Sequence, residues 1–173
     1  MSSAHQNLSS RKMVNIPNID HFRFTIIVAQ WNKDVTGALE QGCVETLLLN
    51  GIPQSNIHVY AVPGSWELIS AARLALTHSD TDAIICIGAV IKGDTPHFEY
   101  ICQGVTNGLA SLCSSQDIPV IFGVLTVNTL QQALDRCGGI HGNKGDEAAI
   151  TAIELADLSR RMKGERRKVK GER

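Results

Sequence analysis

The 173-residue chain lacks several features that would assign it to a functional class directly. It has no apolar run near the roughly 20 residues that a membrane span requires. Its N-terminus lacks the apolar core of a secretory signal. Neither a Gly-x-Gly-x-x-Gly nor a Walker sequence occurs, which disfavours a dinucleotide site and a P-loop. The formal net charge of −1 gives nucleic acid or an anionic membrane no electrostatic reason to bind the body of the protein.

Cysteine is sparse, odd in number and never arranged as Cys-x-x-Cys, which excludes a disulfide framework and a cysteine zinc site. We expect the five cysteines to be small buried apolar side chains in a reducing compartment, so the expected location is cytoplasmic. They are Cys43, Cys86, Cys102, Cys113 and Cys137.

What the chain does have is a regular alternation of strand-like and helix-like segments. Apolar, β-branched runs predict strands at Phe22–Ala29, Ile57–Val62, Ala83–Ile91 and Pro119–Leu125. Three-four apolar spacing predicts helices at Asp34–Asn50, after Pro63-Gly64, from His97, at Leu130–Arg136 and from Asp146 to about Met162. The pattern predicts an α/β fold, a three-layer sandwich in which helices cover both faces of a four-stranded parallel sheet, as in flavodoxin-like proteins.

Composition divides the chain into a single domain with two tails. Residues 1–13 are polar and Ser-rich and predict a mobile N-terminal tail, residues 14–163 form the domain, and residues 164–173 predict a mobile basic C-terminal tail. The basic tail suits nucleic acid, but its composition favours a solvated end. The short segment Val14-Asn15-Ile16 is a candidate edge strand for a neighbouring subunit.

Polar and aromatic residues gather where the predicted strands end, and ligands of parallel α/β sheets bind at that edge. Both tryptophans, Trp31 and Trp66, follow strands, where a planar ligand could stack on them or where they could simply cap the core. Ser65 and Thr95 stand beside glycines before helices, a position that suits either a phosphate or an ordinary helix cap. His97 begins a helix beside this candidate anion site, where it could transfer protons near neutral pH, and no metal-ligand spacing surrounds it.

The loop GGIHGNKG at residues 138–145 is the remaining candidate. Its glycines indicate positive φ angles or close backbone approach. Arg136 and Lys144 flank it and could meet a phosphate, or could be two solvated cations.

Four segments together identify a family: PGSWEL, IGAVIKGDTPHFEY, FGVLT and ALDRCGGIHGNKGDEAAITAIELADL. In this order and at these separations they strongly resemble 6,7-dimethyl-8-ribityllumazine synthases. The similarity runs from about Phe22 to Leu158. It implies condensation of 5-amino-6-(D-ribitylamino)uracil with 3,4-dihydroxy-2-butanone 4-phosphate, with release of phosphate and water and without a metal or organic cofactor. This is the penultimate step of riboflavin biosynthesis, and the enzyme would be a transferase.

The resemblance also implies a role for individual residues. His97 would be the proton-transfer residue and Arg136 would bind and stabilise the leaving phosphate. The phosphate turn would consist of Gly93, Asp94 and Thr95, with the contact itself made by Thr95. The pyrimidine and ribityl chain would be bound by Trp31, Asn32, Ser65, Trp66, Glu67, Ala89, Val90, Ile91, Lys92, Phe122 and Lys144. Of all these residues, Phe122, Arg136 and Lys144 would come from the adjacent subunit.

A shared site implies a homo-oligomer, a pentamer in this family, and some pentamers assemble into sixty-subunit shells. The short GGIHGNKG loop favours the shell, and riboflavin synthase is a candidate partner. Two departures from the family pattern, Ile69 and Asn128, lie away from the expected chemistry. The alternatives are a riboflavin synthase-like or flavin-binding homologue, and a catalytically silent shell-forming protein.

Overall fold

The computed structural model describes the backbone of residues 13–170 and the side chains of residues 13–164. Its centre is a four-stranded, all-parallel sheet in the order β2-β1-β3-β4. The strands are β1 (Phe24–Ala29), β2 (Ile57–Val62), β3 (Ala83–Ile91) and β4 (Val120–Val127). The helices are α1 (Lys33–Leu49), α2 (Glu67–His78), α3 (His97–Ser115), α4 (Leu130–Leu134) and α5 (Lys144–Lys170). A small antiparallel pair, β5 (Cys137–Gly139) and β6 (Gly142–Asn143), lies between α4 and α5.

The two inner strands explain the continuous apolar runs in the sequence. Every residue of β1 is buried, as are the first seven of β3. Alternate residues enter different cores, because successive side chains of a strand point to opposite faces. Ile85 and Ile87 join the core under α1 and α5, whereas Ile84 and Cys86 join the core under α2 and α3. Both faces of the sheet are therefore covered, which confirms the predicted three-layer α/β fold.

Several predicted boundaries differ from the structure. Helix α5 continues to Lys170, beyond the predicted end near Met162, because residues 163–170 contain no proline to stop it. The loop after Arg136 forms the β5–β6 pair. The sequence did not predict this pair, because its glycines do not carry the alternation of a strand. The structure gives Val14-Asn15-Ile16 no strand, and Val14 and Ile16 instead pack against the core beside α1 and α5. Pairing of this segment with a neighbouring subunit remains a prediction.

The prediction that all cysteines are buried is wrong for one of them. Cys43, Cys86 and Cys137 are buried and Cys102 is half-buried, but Cys113 is exposed. Cys113 lies on the solvent side of α3, whereas its neighbour Leu112 packs against the core. All five thiols are free.

The predicted tails lie partly outside the described residues. The N-terminal tail, residues 1–13, lies outside the described residues except for Met13, as do residues 171–173 of the C-terminal tail. Between residues 13 and 170, no helix combines the length and apolar character needed to cross a membrane.

Candidate active site

A cleft of about 620 Å³ opens at the carboxyl ends of β1, β2 and β3. Its walls come from the segments that follow these three strands and from the first turns of α2 and α3. It contains most of the predicted site residues: Trp31, Asn32, Ser65, Trp66, Glu67, Ala89, Val90, Ile91, Gly93, Thr95 and His97. The parallel sheet brings these residues together from three separate stretches of sequence.

Asn32 shapes the floor of the cleft through its backbone and its side chain. Its φ of 61° is left-handed, a conformation that asparagine tolerates better than most residues. Although Asn32 precedes α1, its side chain does not cap that helix. The Nδ2 atom instead donates to the Ala89 carbonyl oxygen at 2.9 Å, which ties the end of β1 to the end of β3. The relative position of the two strand ends is thereby fixed.

Both tryptophans contribute apolar surface to the cleft lining. Trp31 is 75% exposed and Trp66 is 52% exposed, so neither seals the core. Trp66 packs so closely on α3 that a Cβ atom built at Gly104 would lie 2.3 Å from its ring. The alternative in which both tryptophans cap the core is wrong, and their exposed rings are available to a planar ligand.

Ser65 and Glu67 project from the beginning of α2. Ser65 is buried and makes no cap for α2, although the helix begins two residues later. The Glu67 Oε2 atom accepts a hydrogen bond of 3.0 Å from the Gly64 backbone N–H. This contact orients the carboxylate at the cleft wall and leaves its other oxygen able to accept from a hydroxylated ligand.

The turn from Gly93 to Pro96 leads into α3 and provides the second polar wall. Gly93 and Thr95 line the cleft, and both are exposed. Thr95 does not cap α3, whose cap residue is Pro96 and which has no side-chain cap hydrogen bond. The capping explanation for Thr95 is therefore wrong, and its hydroxyl lies beside the unsatisfied N–H groups that open every α-helix. A hydroxyl and free N–H groups at a helix start suit an anion.

His97, the first residue of α3, lies between this turn and the apolar walls. Its imidazole is exposed, and among residues 13–164 no side chain forms a hydrogen bond or ion pair with it. A structural histidine is normally held by such a partner. An exposed imidazole within the cleft can exchange protons with a bound ligand or with water.

Two residues of the predicted turn do not line the cleft. Asp94 is exposed outside it, in keeping with the expectation that Thr95 makes the phosphate contact. Lys92 lies at the rim, where its Nζ atom is 3.3 Å from Glu99 Oε1 and 5.9 Å from the centre of the Phe98 ring. A hydrogen bond from its own backbone N–H and the Lys92 ammonium together lower the pKa of Glu99. Lys92 is thus engaged by a carboxylate.

The carboxyl end of β4 is closed and forms no part of the cleft. Thr129 Oγ1 accepts from the Gln132 backbone N–H at 3.2 Å, and Gln132 Oε1 accepts from the Asn128 N–H at 2.8 Å. This arrangement is similar to a capping box, except that Gln132 accepts from the residue before the cap residue Thr129. It accounts for the polar residues that follow β4 without a ligand, and it gives Asn128 a structural position.

The residues assigned to the adjacent subunit also lie outside this cleft. Phe122 projects from the edge strand β4 and is 44% exposed. Arg136 is half-buried after α4, where its Nη1 atom donates to the Gln132 carbonyl oxygen at 3.0 Å. Lys144 starts α5, and its Nζ atom is 2.6 Å from Glu147 Oε1. Among the described residues, no Lys or Arg lines the cleft, and Lys92 lies at its rim.

Four cleft residues were missed by sequence reasoning: Pro63, Gly64, Phe98 and Ile101. Phe98 and Ile101 carry the three-four apolar spacing of a core-facing helix, and only the first turn of α3 overhangs the sheet edge. No signal in the sequence separates these two residues from the buried Val105 and Leu109 farther along the same face. Pro63 and Gly64 were recognised as a turn, and their position directly after β2 was the available signal.

Comparison with known protein families gives one consistent result. The family model described as 6,7-dimethyl-8-ribityllumazine synthase matches residues 21–160. This span includes all five helix starts and the whole sheet.

Individual proteins named 6,7-dimethyl-8-ribityllumazine synthase are similar over nearly the same span. The protein of Phocaeicola vulgatus is 47% identical over 162 residues, which are 94% of this chain and 96% of its own length. That of Bacteroides fragilis is 56% identical over 136 residues, 79% of this chain and 95% of its own. That of Porphyromonas gingivalis is 48% identical over 160 residues, 92% and 99% respectively.

Proposed function

This chain belongs to the 6,7-dimethyl-8-ribityllumazine synthase family, and we propose that it catalyses that condensation in the cleft at the ends of β1, β2 and β3. The substrates would be 5-amino-6-(D-ribitylamino)uracil and 3,4-dihydroxy-2-butanone 4-phosphate. The products would be 6,7-dimethyl-8-ribityllumazine, phosphate and water. The observation that carries the proposal is the convergence of an exposed indole, an exposed imidazole and an uncapped helix start in one cleft.

The pyrimidine would occupy the side of the cleft near β1. Trp31 offers an exposed indole for stacking. The backbone of Ala89 to Ile91 lines the adjoining wall and can bind the polar edge of the ring. Asn32 holds that backbone in place through the Ala89 carbonyl. The ribityl hydroxyls would then reach Ser65 and the Glu67 carboxylate, which is already oriented by Gly64.

The phosphorylated substrate would occupy the opposite side. Its phosphate would accept hydrogen bonds from Thr95 and from the backbone between Gly93 and α3. The ketone carbon would then lie between the phosphate turn and the pyrimidine amine. Holding two reactants in this register lowers the entropic part of the barrier to their condensation.

His97 would transfer protons during the condensation. The amine nitrogen attacks the ketone carbon, and the resulting carbinolamine loses water to give an imine. Each step moves a proton between nitrogen, oxygen and solvent, and the imidazole of His97 is placed to exchange it. The carbon that carries the neighbouring hydroxyl then loses its proton, and phosphate leaves with its bonding electron pair to give an enol, while hydrogen-bond donors and cations stabilise the departing anion. Proton transfer converts the enol into a new carbonyl. Attack of the second nitrogen on this carbonyl closes the ring with loss of a second water.

A second subunit would complete this site. Among the described residues, no arginine lines the cleft at the phosphate turn, and Arg136, Lys144 and Phe122 lie outside the cleft lining. Exposed apolar side chains accompany them: Phe122, Leu130, Leu134 and Ile140, the last 82% exposed at the tip of the β5–β6 pair. A surface with several exposed apolar side chains near one another favours an interface between copies. We therefore assign Phe122, Arg136 and Lys144 to the cleft of an adjacent subunit in a pentamer.

The short β5–β6 loop leads us to extend the proposal to a sixty-subunit shell of pentamers, with a cytoplasmic location and with riboflavin synthase as a candidate partner. Light scattering tests the assembly directly. A mass near that of sixty chains is the expected result, and a mass near that of five chains would restrict the proposal to the pentamer.

The activity is tested by following lumazine absorbance and phosphate release together. We expect equal amounts of the two products from the wild type and a large loss of both in Arg136→Ala. Absence of turnover by a folded oligomer would contradict the proposed reaction.

Subunit mixing tests the shared site with the same assay. Arg136→Ala and His97→Ala chains are each expected to be nearly inactive alone. If each cleft uses His97 of one chain and Arg136 of another, co-refolded mixtures contain some clefts with both native residues. Recovery of activity is expected on mixing, and its absence would place both residues in one subunit's site.

A further inference from the structure

The ion pair between Lys92 and Glu99 is the feature of the cleft rim that the proposed reaction leaves unused. It joins the end of β3 to the first turn of α3 and spans the phosphate turn between them. We propose that Glu99 is a positioning residue that competes with phosphate for the Lys92 ammonium and thereby weakens anion binding at the turn. The inference rests on the proposed function, because it requires that Gly93 to Thr95 bind phosphate.

The position of the two side chains supports this competition. The Lys92 ammonium is 3.3 Å from Glu99 Oε1 and 5.9 Å from the centre of the Phe98 ring. Phe98 lines the cleft, so the ammonium lies beside the cleft opening. Lys92 also directly precedes Gly93, the first residue of the turn. An ammonium carries three donors and a flexible stem, so a short rotation could direct it to the turn.

The exposure of the pair indicates that it adds little to folding. The Lys92 side chain is 48% exposed and that of Glu99 is 56% exposed. Solvent-exposed ion pairs add little to the free energy of unfolding. The ring contact with Phe98 is at the long end of cation–π geometry. Because this ion pair adds little to the free energy of unfolding and lies at the entrance to the anion site, it can change anion affinity without a large effect on folding.

Charge balance gives the direction of the effect. In one chain, Lys92 is the cation closest in sequence to the turn, and Asp94 and Glu99 place two carboxylates around it. A phosphate ester or inorganic phosphate must displace or share the ammonium with Glu99. Affinity for both anions is therefore lower than it would be with an unpaired Lys92 beside the turn, which favours release of the phosphate product before the next turnover.

The test is competitive inhibition of the wild-type oligomer by inorganic phosphate, repeated with Glu99→Gln. We expect the phosphate inhibition constant to fall by roughly two- to fivefold in Glu99→Gln, the range expected for an exposed ion pair. The KM for the phosphorylated substrate should fall with it, whereas the KM for the uncharged pyrimidine should not change. The difference should shrink at high ionic strength, since salt screens exposed charges.

A double-mutant cycle separates positioning from simple repulsion. If Glu99 acts through Lys92, Glu99→Gln has no effect on phosphate inhibition in a Lys92→Met background. An effect that persists in that background would overturn the proposal in favour of direct repulsion, and an unchanged constant in the single variant would also overturn it. Asp157→Asn is the control, because it breaks the ion pair of Asp157, 22% exposed, with Arg161, 64% exposed, on α5, on the other face of the sheet.

Failure of this inference is distinguishable from failure of the proposed function. Equilibrium binding of inorganic phosphate, measured by calorimetry, needs no turnover. If wild type binds phosphate and Thr95→Ala weakens that binding, the proposal that the turn binds phosphate is supported. This conclusion does not depend on the result for Glu99→Gln. If wild type binds no phosphate, both the turn and the role of Glu99 are overturned.

Discussion

The two ends of the parallel sheet differ in how their polar groups are used. At the amino end, Asp82 precedes β3 and accepts hydrogen bonds from the Arg23 backbone N–H and from Arg160 of α5. Arg160 also donates to the His21 carbonyl oxygen and lies 4.2 Å from the centre of the Phe22 ring. At the carboxyl end, the side chains of Thr95 and His97 form no hydrogen bond with any described residue.

This difference separates residues that hold the fold from residues that can do chemistry. Asp82 and Arg160 are of the same residue types as many catalytic groups, but each is saturated by partners from its own chain. Thr95 and His97 are of the types that usually cap helices or complete cores, but here they do neither. Substitutions at the two ends should therefore affect different measurements.

The largest expected effect is at the carboxyl end. His97→Ala should lower kcat by about 10²- to 10⁴-fold, the usual contribution of a positioned acid–base group. The free energy of unfolding should change by less than about 0.5 kcal/mol, because the exposed imidazole has no partner to lose. Steady-state kinetics and urea unfolding of the same preparation measure the two quantities. A stability loss as large as the activity loss would contradict the proposed role.

At the amino end the opposite pattern is expected. Asp82→Ala removes the carboxylate that pairs with Arg160 and with the Arg23 N–H, and should lower the free energy of unfolding by about 1–2 kcal/mol after allowing for partial exposure. Activity per folded subunit should not change. Asp80→Ala is the control, since Asp80 pairs with Arg23 at a largely exposed position and its loss should cost little. Equal losses in the two variants would contradict the distinction.

A smaller effect on binding is expected from the exposed indole near β1. Trp31→Ala should raise the KM for the pyrimidine substrate by roughly three- to tenfold, since aromatic stacking contributes about 0.5–1.5 kcal/mol. Trp31→Phe should restore most of the affinity. Tyr100→Ala removes a comparably exposed aromatic outside the cleft lining, and its KM should match wild type.

The smallest expected effect is a change of stability with pH caused by Cys86, which is buried in the core between the two ends of the sheet. Burial raises the pKa of Cys86 to about 12, so the folded state favours the neutral thiol. The unfolded chain then releases the proton first as pH rises, and stability is lost above the unfolded pKa. At pH 9 the loss from this thiol should be about 0.4 kcal/mol relative to pH 7. Urea unfolding at both pH values should show the decline, and Cys86→Ala should reduce it. An increase in stability at pH 9 would contradict the assignment.

The sequence was sufficient for the parts of the molecule whose signals are local. The all-buried pattern of β1 and β3 and the spacing of α1 predicted the sheet and its layers correctly. The end of α5 was misjudged because a basic run is compatible with both a solvated helix and a tail. The β5–β6 pair was missed because its glycines do not carry the alternation of a strand.

For the site, sequence position predicted which residues line the same cleft. It did not predict the hydrogen-bond or ion-pair partner of each residue. That Asn32 bonds to Ala89, 57 residues away, depends on the order of strands in the sheet. The same holds for Lys92, whose partner Glu99 is brought near by the turn between them. Capping was an open explanation for Thr95, and the structure shows that its side chain does not cap α3, whereas Thr129, for which no cap was predicted, caps α4.

The close packing of Trp66 on Gly104 has an evolutionary consequence. Gly104 lies behind the indole and outside the cleft lining, yet a methyl group there would have to displace the ring by meeting it at 2.3 Å. Because the same ring lines the cleft, its displacement would change the shape of the cleft. The width of the cleft is therefore set by a residue that no ligand touches, and a lineage could select for smaller or larger heterocycles by exchanging glycine and alanine at this position. Such a change would leave every cleft-lining residue identical. Specificity for the size of the heterocycle can therefore diverge in this fold without a substitution in the cleft lining.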